Sequence, residues 1–402
     1  MKGELDQMTL HYPENVVKIA EILAKNGYKA YAVGGCMRDT LMGRVPNDWD
    51  MTTDCSPEKM LEIFDREGVR TIPTGLKHGT VSVLLDGEIY ECTTFRIDGS
   101  YTDSRHPDKV TFTQDITEDL RRRDFTVNAM AGDPLSGSLE IVDVFGGRED
   151  IENRIIRAVG DPEKRFTEDA LRILRAIRFA TVLDFEIDGE TKAAAVKLGG
   201  RLADISAERK SVELQKILLS DYADRGIALL LETDLAKYIH PDIKSPKVTL
   251  SGLPKRFSTR LAALFAAVPN LSCMKLSGEL VKQTKALCDD VFYRETVAKL
   301  SEADACARLM LSKYGEIAED AALLRNHRES AQRIAEERAK NPCVILRDLA
   351  VGGNDLLAAG IEPKKLGSIM SSLLLSVIEN PSLNQKETLV KMAIKLAQDE
   401  RI

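Results

Sequence analysis

The segment VGGCMRDTLMGRVPNDWD, residues 33–50, decides how the rest of the chain is read. The residues KAYAV leading into it predict a short strand that runs into a turn at Gly34 and Gly35. CMRDTLM predicts a helix closed by Gly43, and NDWDMTT, residues 47–53, alternates as a strand does. On a strand, side chains two apart share a face, so Asp48 and Asp50 point to one place. Adjacent carboxylates repel, and a divalent cation relieves that repulsion. Mg²⁺ in particular favours one or two carboxylates plus phosphate oxygens. Gly34 and Gly35 let backbone N–H groups approach anionic oxygens closely, and Arg38, one turn into the helix, adds a charge-assisted contact. A lone D-x-D reads as two solvated acids; the whole stretch reads as a metal–triphosphate site.

Outward from this segment, the chain has 402 residues, 30% of them charged and 44% hydrophobic, an ordinary globular composition sufficient for two to four domains. The sequence has no apolar run of about 20 residues, which excludes a membrane-spanning helix. The N-terminal stretch lacks an apolar signal core, so export is not expected. Seven scattered cysteines, with no C-x-x-C pair, exclude a disulfide scaffold and a standard zinc finger and fit a reducing cytoplasm. Cys36, Cys55 and Cys92 read as buried, inert thiols. One Trp and 5% aromatics argue against base-stacking platforms. The net charge of −7 is uneven: residues 1–150 carry −10 and residues 151–402 carry +3. IKSPKVTLSGLPKRFSTR, residues 243–260, holds Lys244, Lys247, Lys255, Arg256 and Arg260 and no acid, which permits a polyanion there.

ENVVKIAEILAKN, residues 14–26, has helical periodicity and stops at Gly27. GTVSVLL and EIYECTTF predict two strands joined by a turn at Asp86-Gly87, while DGSYTDSRHPDKV, residues 98–110, is rich in turn formers and reads as a loop. The β signal ends near residue 148. From Ile151 the reading is almost wholly helical, and PEKRFTEDALRILRAIRFAT, residues 162–181, is the strongest helix. A mixed α/β unit followed by a helical string, with boundaries near 150, 210 and 330, is expected.

G-G-x-x-R-D followed by R-x-x-N-D-x-D resembles the signature of class II tRNA nucleotidyltransferases and bacterial poly(A) polymerases, members of the polymerase-β-like nucleotidyltransferases. RRRDFTVNA (121–129), EDALRILRAIR (168–178), ISAERKSVELQKIL (205–218) and DLAVGGNDLLAAGI, near residue 350, are similar to further elements of that family. The resemblance implies an α+β fold: a polymerase-β-like palm of mixed sheet and helices as head (1–150), then an all-helical neck that recognises the base (151–210), body (211–330) and tRNA-binding tail (331–402). It implies tRNA, CTP and ATP as partners, with Mg²⁺ held by Asp48 and Asp50 as catalytic residues in two-metal phosphoryl transfer. Gly35, Arg38 and Arg123 are placed at the phosphates. Glu91, on a strand that could run beside the two acids, is either a third acid or a carboxylate paired with Arg96. Asp124 braces the site, Asn128 bonds backbone, and Arg121 and Arg122 face solvent or RNA.

Within EDALR, Asp169 and Arg172 stand three apart and, on a helix, are neighbours on one face. Cytosine and adenine both present an amino donor beside a ring-nitrogen acceptor; uracil and guanine present a carbonyl beside an N–H. A carboxylate accepts and a guanidinium only donates, so this pair complements C and A and clashes with U and G. Arg175 and Arg178 continue the stripe, suited to triphosphate or to bracing Asp169.

GLKHGTVSV, residues 75–83, resembles the strand of CCA-adding members rather than the arginine-rich segment of poly(A) polymerases, and 98–110 resembles the flexible loop that CC-only enzymes lack. The expectation is therefore addition of CCA to tRNA without a nucleic-acid template. A-adding, CC-adding and poly(A)-adding members remain alternatives, with a non-catalytic RNA-binding protein as the remote one. Deleting residues 98–107 is expected to impair addition of the final A more than addition of the two Cs, because the larger purine requires the pocket to reshape; primer extension with CTP alone and with CTP plus ATP measures the difference.

Overall fold

In the computed structural model the described residues are 11–99, 110–136, 140–299 and 302–398. Chain order begins with α1 (Glu14–Lys25), β1 (Ala30–Val33), α2 (Gly35–Leu41), β2 (Met51–Thr53), α3 (Pro57–Arg66), β3 (Arg70–Gly75), β4 (Thr80–Leu85) and β5 (Glu88–Thr94). Next come β6 (Arg96–Asp98), β7 (Val110–Phe112), α4 (Ile116–Arg121), β8 (Ala131–Gly132), β9 (Ile141–Val142) and α5 (Gly147–Glu152). The loop expected over 98–110 lies largely outside the described residues; its flanks, β6 and β7, pair antiparallel.

Seven strands form one sheet in the order β3-β4-β5-β2-β1-β8-β9. The β2–β5 pairing is parallel and aligns Met51 with Cys92, which puts Asp50 in register with Glu91. The expected hairpin turn is present: Asp86 and Gly87 both have positive φ (50° and 83°), as a two-residue turn between twisted strands requires. Ile19, Leu23, Met37, Met51, Met60, Ile63, Phe64, Val81 and Val83 are fully buried, as are the thiols of Cys55 and Cys92. Burial pushes the Cys36, Cys55 and Cys92 thiols up to about 12, so all three are inert at neutral pH.

Beyond the sheet come β10 (Ile155–Ile156), α6 (Pro162–Glu168), α7 (Leu171–Leu183), β11 (Glu186–Ile187), α8 (Gly189–Leu198), α9 (Ala207–Leu218) and α10 (Ala223–Glu232). Two expectations need correction here. The chain after residue 151 is not wholly helical, since β10 and β11 form a short parallel pair. The long helix expected over 162–181 is two helices. Asp169 is extended (φ −139°, ψ 105°); its carboxylate accepts the Leu171 N–H at 3.0 Å and its carbonyl the Arg172 N–H at 3.0 Å. An aspartate offered its own backbone contacts prefers such a cap to a helix interior.

The chain forms two compact units, residues 1–217 with 228–239 and residues 218–227 with 240–402. The second is helical: α11 (Phe257–Ala262), α12 (Gly278–Cys288), α13 (Asp290–Ala298), α14 (Ala303–Tyr314), α15 (Ala318–Leu323), α16 (Arg328–Ala339), α17 (Gly353–Ala358), α18 (Leu366–Glu379) and α19 (Lys386–Gln398), joined by short 3-10 turns. It contains two apolar clusters, one from Ala262 to Ile334 and one from Leu349 to Ala393. None of the described helices is long and apolar enough to cross a membrane.

The basic stretch 243–260 is less available than its sequence suggests. Arg260 is 1% exposed and donates to the carbonyls of Leu218, Ser220 and Leu253 at 2.7–3.0 Å, Arg256 pairs with Asp320, and Lys255 with Asp221. Replacing Arg260 by Ala removes all three donations and leaves a cavity. Arg260→Ala is expected to cost at least about 3 kcal/mol, read as a lower urea midpoint of the full chain.

Candidate active site

Asp48 and Asp50 lie in the loop that enters β2, which begins at Met51, rather than on the strand as expected. A pair of ionised side chains is poorly suited to a central strand, and the ladder takes up the chain only after them. Asp50 is nonetheless held at the sheet: its carbonyl accepts the Val33 N–H at 2.9 Å. Both residues are exposed, as is Glu91. The Asp50 carboxyl is still pushed above the ordinary aspartate range, first by loss of hydration, then by Glu91, with Asp48 adding to the effect and Arg123 opposing it. Negative charge is thus concentrated at one sheet end. A divalent cation fits this donor chemistry, since two carboxylates leave room for water and phosphate oxygens. Among the described residues no group of three or more His, Cys, Asp or Glu side chains is arranged as a metal cluster.

The residues expected at the phosphates sit among buried charge. Gly34 has φ +83°, and a Cβ there would stand 3.0 Å from Nη1 of Arg123, so this glycine is required both for its backbone and for the guanidinium beside it. Gly35 starts α2 and has the Arg38 guanidinium as its neighbour. Arg38 is 9% exposed; its Nη1 donates to Oδ1 of Asn128 at 2.6 Å and its Nε to Asp39 at 2.9 Å. Asn128, expected to bond backbone, instead joins two side chains, because its amide also donates to Asp124 at 3.2 Å. Arg123 lies 3.5 Å from Asp119, and its buried Nε has no hydrogen-bond partner among the described residues. Burial pulls its pKa down and Asp119 holds it up.

Asp119 was not singled out from the sequence. It is fully buried, accepts from Arg122 at 2.9–3.0 Å, and receives the Thr52 hydroxyl at 3.3 Å. Arg122 is therefore tied to an acid rather than free for solvent or RNA. The signal existed: Asp119 stands three and four residues before Arg122 and Arg123, the helical neighbour spacing. Arg121 is exposed and stacks toward Phe145.

The residues expected to read the base occupy α7 and the turn before it. Asp169 and Arg172 remain within one turn, but they do not pair with each other as neighbours on a continuous helix would. Asp169 accepts from Nη2 of Arg209, on α9, at 2.9 Å. Arg172 donates to Glu168 at 2.8 Å and to the carbonyls of Arg122 and Arg165. Arg175 pairs with Asp124 through Nε at 2.8 Å rather than with Asp169, and Arg178 pairs with Glu213 at 2.6 Å. The Phe179 ring is flanked by all of Arg38, Arg175 and Arg178, at 5.4, 5.3 and 3.8 Å. Glu168 was legible from its i, i+4 spacing to Arg172; Arg209 and Glu213 are 40 and 35 residues from their partners, and no local pattern marks them.

A seven-stranded mixed sheet with acids at one end, followed by helices that present an aspartate and an arginine, defines a nucleotidyltransferase of the polymerase-β-like class. Residues 30–157 match the poly A polymerase head domain family, and residues 184–245 match a family described as a probable RNA and SrmB-binding site of polymerase A. The chain is 34% identical to the CCA-adding enzyme of Leuconostoc mesenteroides, covering 96% of this chain and 98% of that one, and 36% identical to the CCA-adding enzyme of Levilactobacillus brevis, covering 94% and 98%. The crystal structure of the Bacillus stearothermophilus CCA-adding enzyme in complex with CTP superposes with a TM-score of 0.79 at 32% identity, covering 96% of this chain and 98% of that one. The chain belongs to the CCA-adding enzyme family of tRNA nucleotidyltransferases.

The buried Asp124 carboxyl is a sensitive point. Burial raises its pKa, but Arg175 outweighs burial and holds it well below the usual carboxylate range. The stability this pair provides is present above the ordinary aspartate range and is lost as pH falls through the lowered value. In Arg175→Met burial is opposed only by Arg172 and by the Asn128 amide, so the Asp124 pKa rises from its lowered value. The variant is expected to lose about 3 kcal/mol at pH 7. The deficit relative to the unsubstituted protein should shrink between pH 7 and pH 5 as Asp124 takes up a proton, measured by urea unfolding at both pH values.

Proposed function

We propose that this chain adds C, C and A to the 3′ end of tRNA from CTP and ATP, with no nucleic-acid template. The observation that carries this reading is the placement of Asp169 and Arg172 in the same compact unit as Asp48 and Asp50, each held by an oppositely charged side chain. Asp169 keeps lone pairs for the amino group of C or A. Arg172 has N–H groups beyond those given to Glu168 and the two carbonyls, and these donate to the ring nitrogen. A uracil or guanine would set a carbonyl against the carboxylate and an N–H against the guanidinium. Arg123, with its unpartnered Nε, and Arg38 at Gly35 bind the triphosphate. Asp124 fixes Arg175 in place as a brace, and Glu213 does the same for Arg178, so these two arginines act at the nucleotide through the packing around Phe179.

Asp48 and Asp50 would hold the divalent cations, Mg²⁺ in this reading, with Glu91 beside Asp50. When bound, such ions neutralise phosphate charge and favour the ionised form of the primer's 3′-hydroxyl. Arg123 and Arg38 orient the triphosphate for in-line attack with pyrophosphate as leaving group, and the readers fix the base so that only the correct sugar and α-phosphate align. The head (1–150), neck (151–210), body (211–330) and tail (331–402) divide the labour among catalysis, base choice and tRNA binding, the last mainly by shape and backbone. The seven free cysteines support a reducing cytoplasm as the place of action.

The test is extension of tRNAs ending at the discriminator base, at −C and at −CC. All three are expected to finish as −CCA; extension of the −CC primer alone would identify an A-adding member instead. Asp50→Asn is expected to abolish extension while raising the thermal midpoint in EDTA, because the protein disfavours the charge it removes. Extension by that variant at a rate near that of the unsubstituted enzyme would sink the assignment of Asp50 as a metal ligand.

A further inference from the structure

Each oxygen of the Asp169 carboxylate has a different anchor. Oδ1 accepts the Leu171 N–H at 3.0 Å, and Oδ2 accepts Arg209 Nη2 at 2.9 Å. Two anchors on two oxygens fix rotation about the bond that carries the carboxylate, a torsion that is otherwise broad. Each oxygen retains a second lone pair, so the group is aimed without being used up. The anchor from α9 is not isolated. Glu213, one helical turn after Arg209 and on the same face, binds Arg178 of α7. α9 thus supports the reading segment at two points, and only the Arg209 point reaches the residue that reads the base.

A purely structural role for the Arg209–Asp169 pair explains less. Asp169 and Arg209 keep 17% and 23% of their side-chain surface exposed. Both groups are thus mostly buried, and breaking the pair also costs stability. The pair's charge and direction, however, bear on a carboxylate that must accept from an amino group and repel a carbonyl. The pair also keeps Asp169 away from Arg172, its nearest cation in sequence. An Asp169–Arg172 bond would consume the two reading groups on each other.

Resting on the reading of Asp169 and Arg172 as base readers, we propose that Arg209 is a positioning residue for nucleotide choice: it sets the direction of the Asp169 carboxylate and holds it apart from Arg172, and so contributes to the preference for CTP and ATP over UTP and GTP, by aiming the acceptor of the amino group, without touching the base.

The experiment is single-turnover incorporation of each of the four nucleotides by the full-length enzyme on tRNA lacking CCA. Arg209→Ala is expected to lower the CTP-over-UTP ratio by roughly 10- to 100-fold, the range for losing a charged hydrogen bond. The loss should fall on CTP and ATP rates, not on those of UTP and GTP. Arg209→Lys, which can restore a single donated bond, should stay within about threefold of the unsubstituted ratio. Adding Arg209→Ala to Asp169→Ala should change the ratio no further, since both act through one carboxylate. Equal slowing of all four nucleotides by Arg209→Ala, or a further fall in the Asp169→Ala background, would overturn the proposal. Should Arg209→Ala not fold, Arg209→Gln is read in the same assay, and an unchanged ratio there overturns it equally. An Asp169→Ala enzyme that keeps full selectivity overturns the underlying reading of Asp169; a ratio lost in Asp169→Ala and kept in Arg209→Ala overturns only the role of Arg209.

Discussion

The buried carboxylate of Asp124 is the contact on which the geometry of the site depends. It accepts from Arg175 of α7 on one side and from Asn128 on the other, and Asn128 in turn holds Arg38 of α2. One acid therefore connects the helix that follows the glycine turn with the helix that follows Asp169. Removing it from water is unfavourable, and a guanidinium with an amide beside it offsets that cost. The arrangement holds Arg38 and Arg175 in fixed relation to one another.

A consistent division of charge follows from this network. Arginines on the base and phosphate side are matched to acids: Arg38 to Asp39, Arg122 to Asp119, Arg172 to Glu168, Arg175 to Asp124, Arg178 to Glu213. At the sheet end, Asp48, Asp50 and Glu91 stand together as like charges, and Asp50 is pushed upward in pKa by loss of hydration first and then by Glu91 and Asp48. The acid cluster at the sheet end has donor chemistry that suits a divalent cation.

In the second unit, stability rests on two apolar clusters and on arginines that satisfy carbonyls. Arg260 takes three carbonyl oxygens, and Arg308 binds Glu337 while capping the last carbonyls of α18 at Ile378 and Glu379. Buried guanidinium groups with this many acceptors are structural, and they account for basic residues that a charge count assigns to a polyanion surface. Lys244 and Lys247 remain from that stretch, at the lip of a pocket of about 430 Å³.

Local chemistry sufficed for much of this protein. The glycine turn, the two strands around Asp86-Gly87, the acids at 48 and 50 and the polar pair at 169 and 172 are each written within a few residues, because strand alternation, helix spacing and turn conformation are short-range properties. Asp119 and Glu168 were written there too, in i, i+3 and i, i+4 spacing. Tertiary structure decided the rest. It broke the long helix at Asp169, where a side chain that caps its own backbone outcompetes helical continuation. It placed the acids ahead of β2 and brought Glu91 to Asp50 through a parallel pairing across about forty residues. It paired Arg175 with Asp124 and Arg178 with Glu213, and it gave Asp169 the partner Arg209, because a buried or half-buried charge takes whatever opposite charge the fold delivers, and sequence distance carries no record of that.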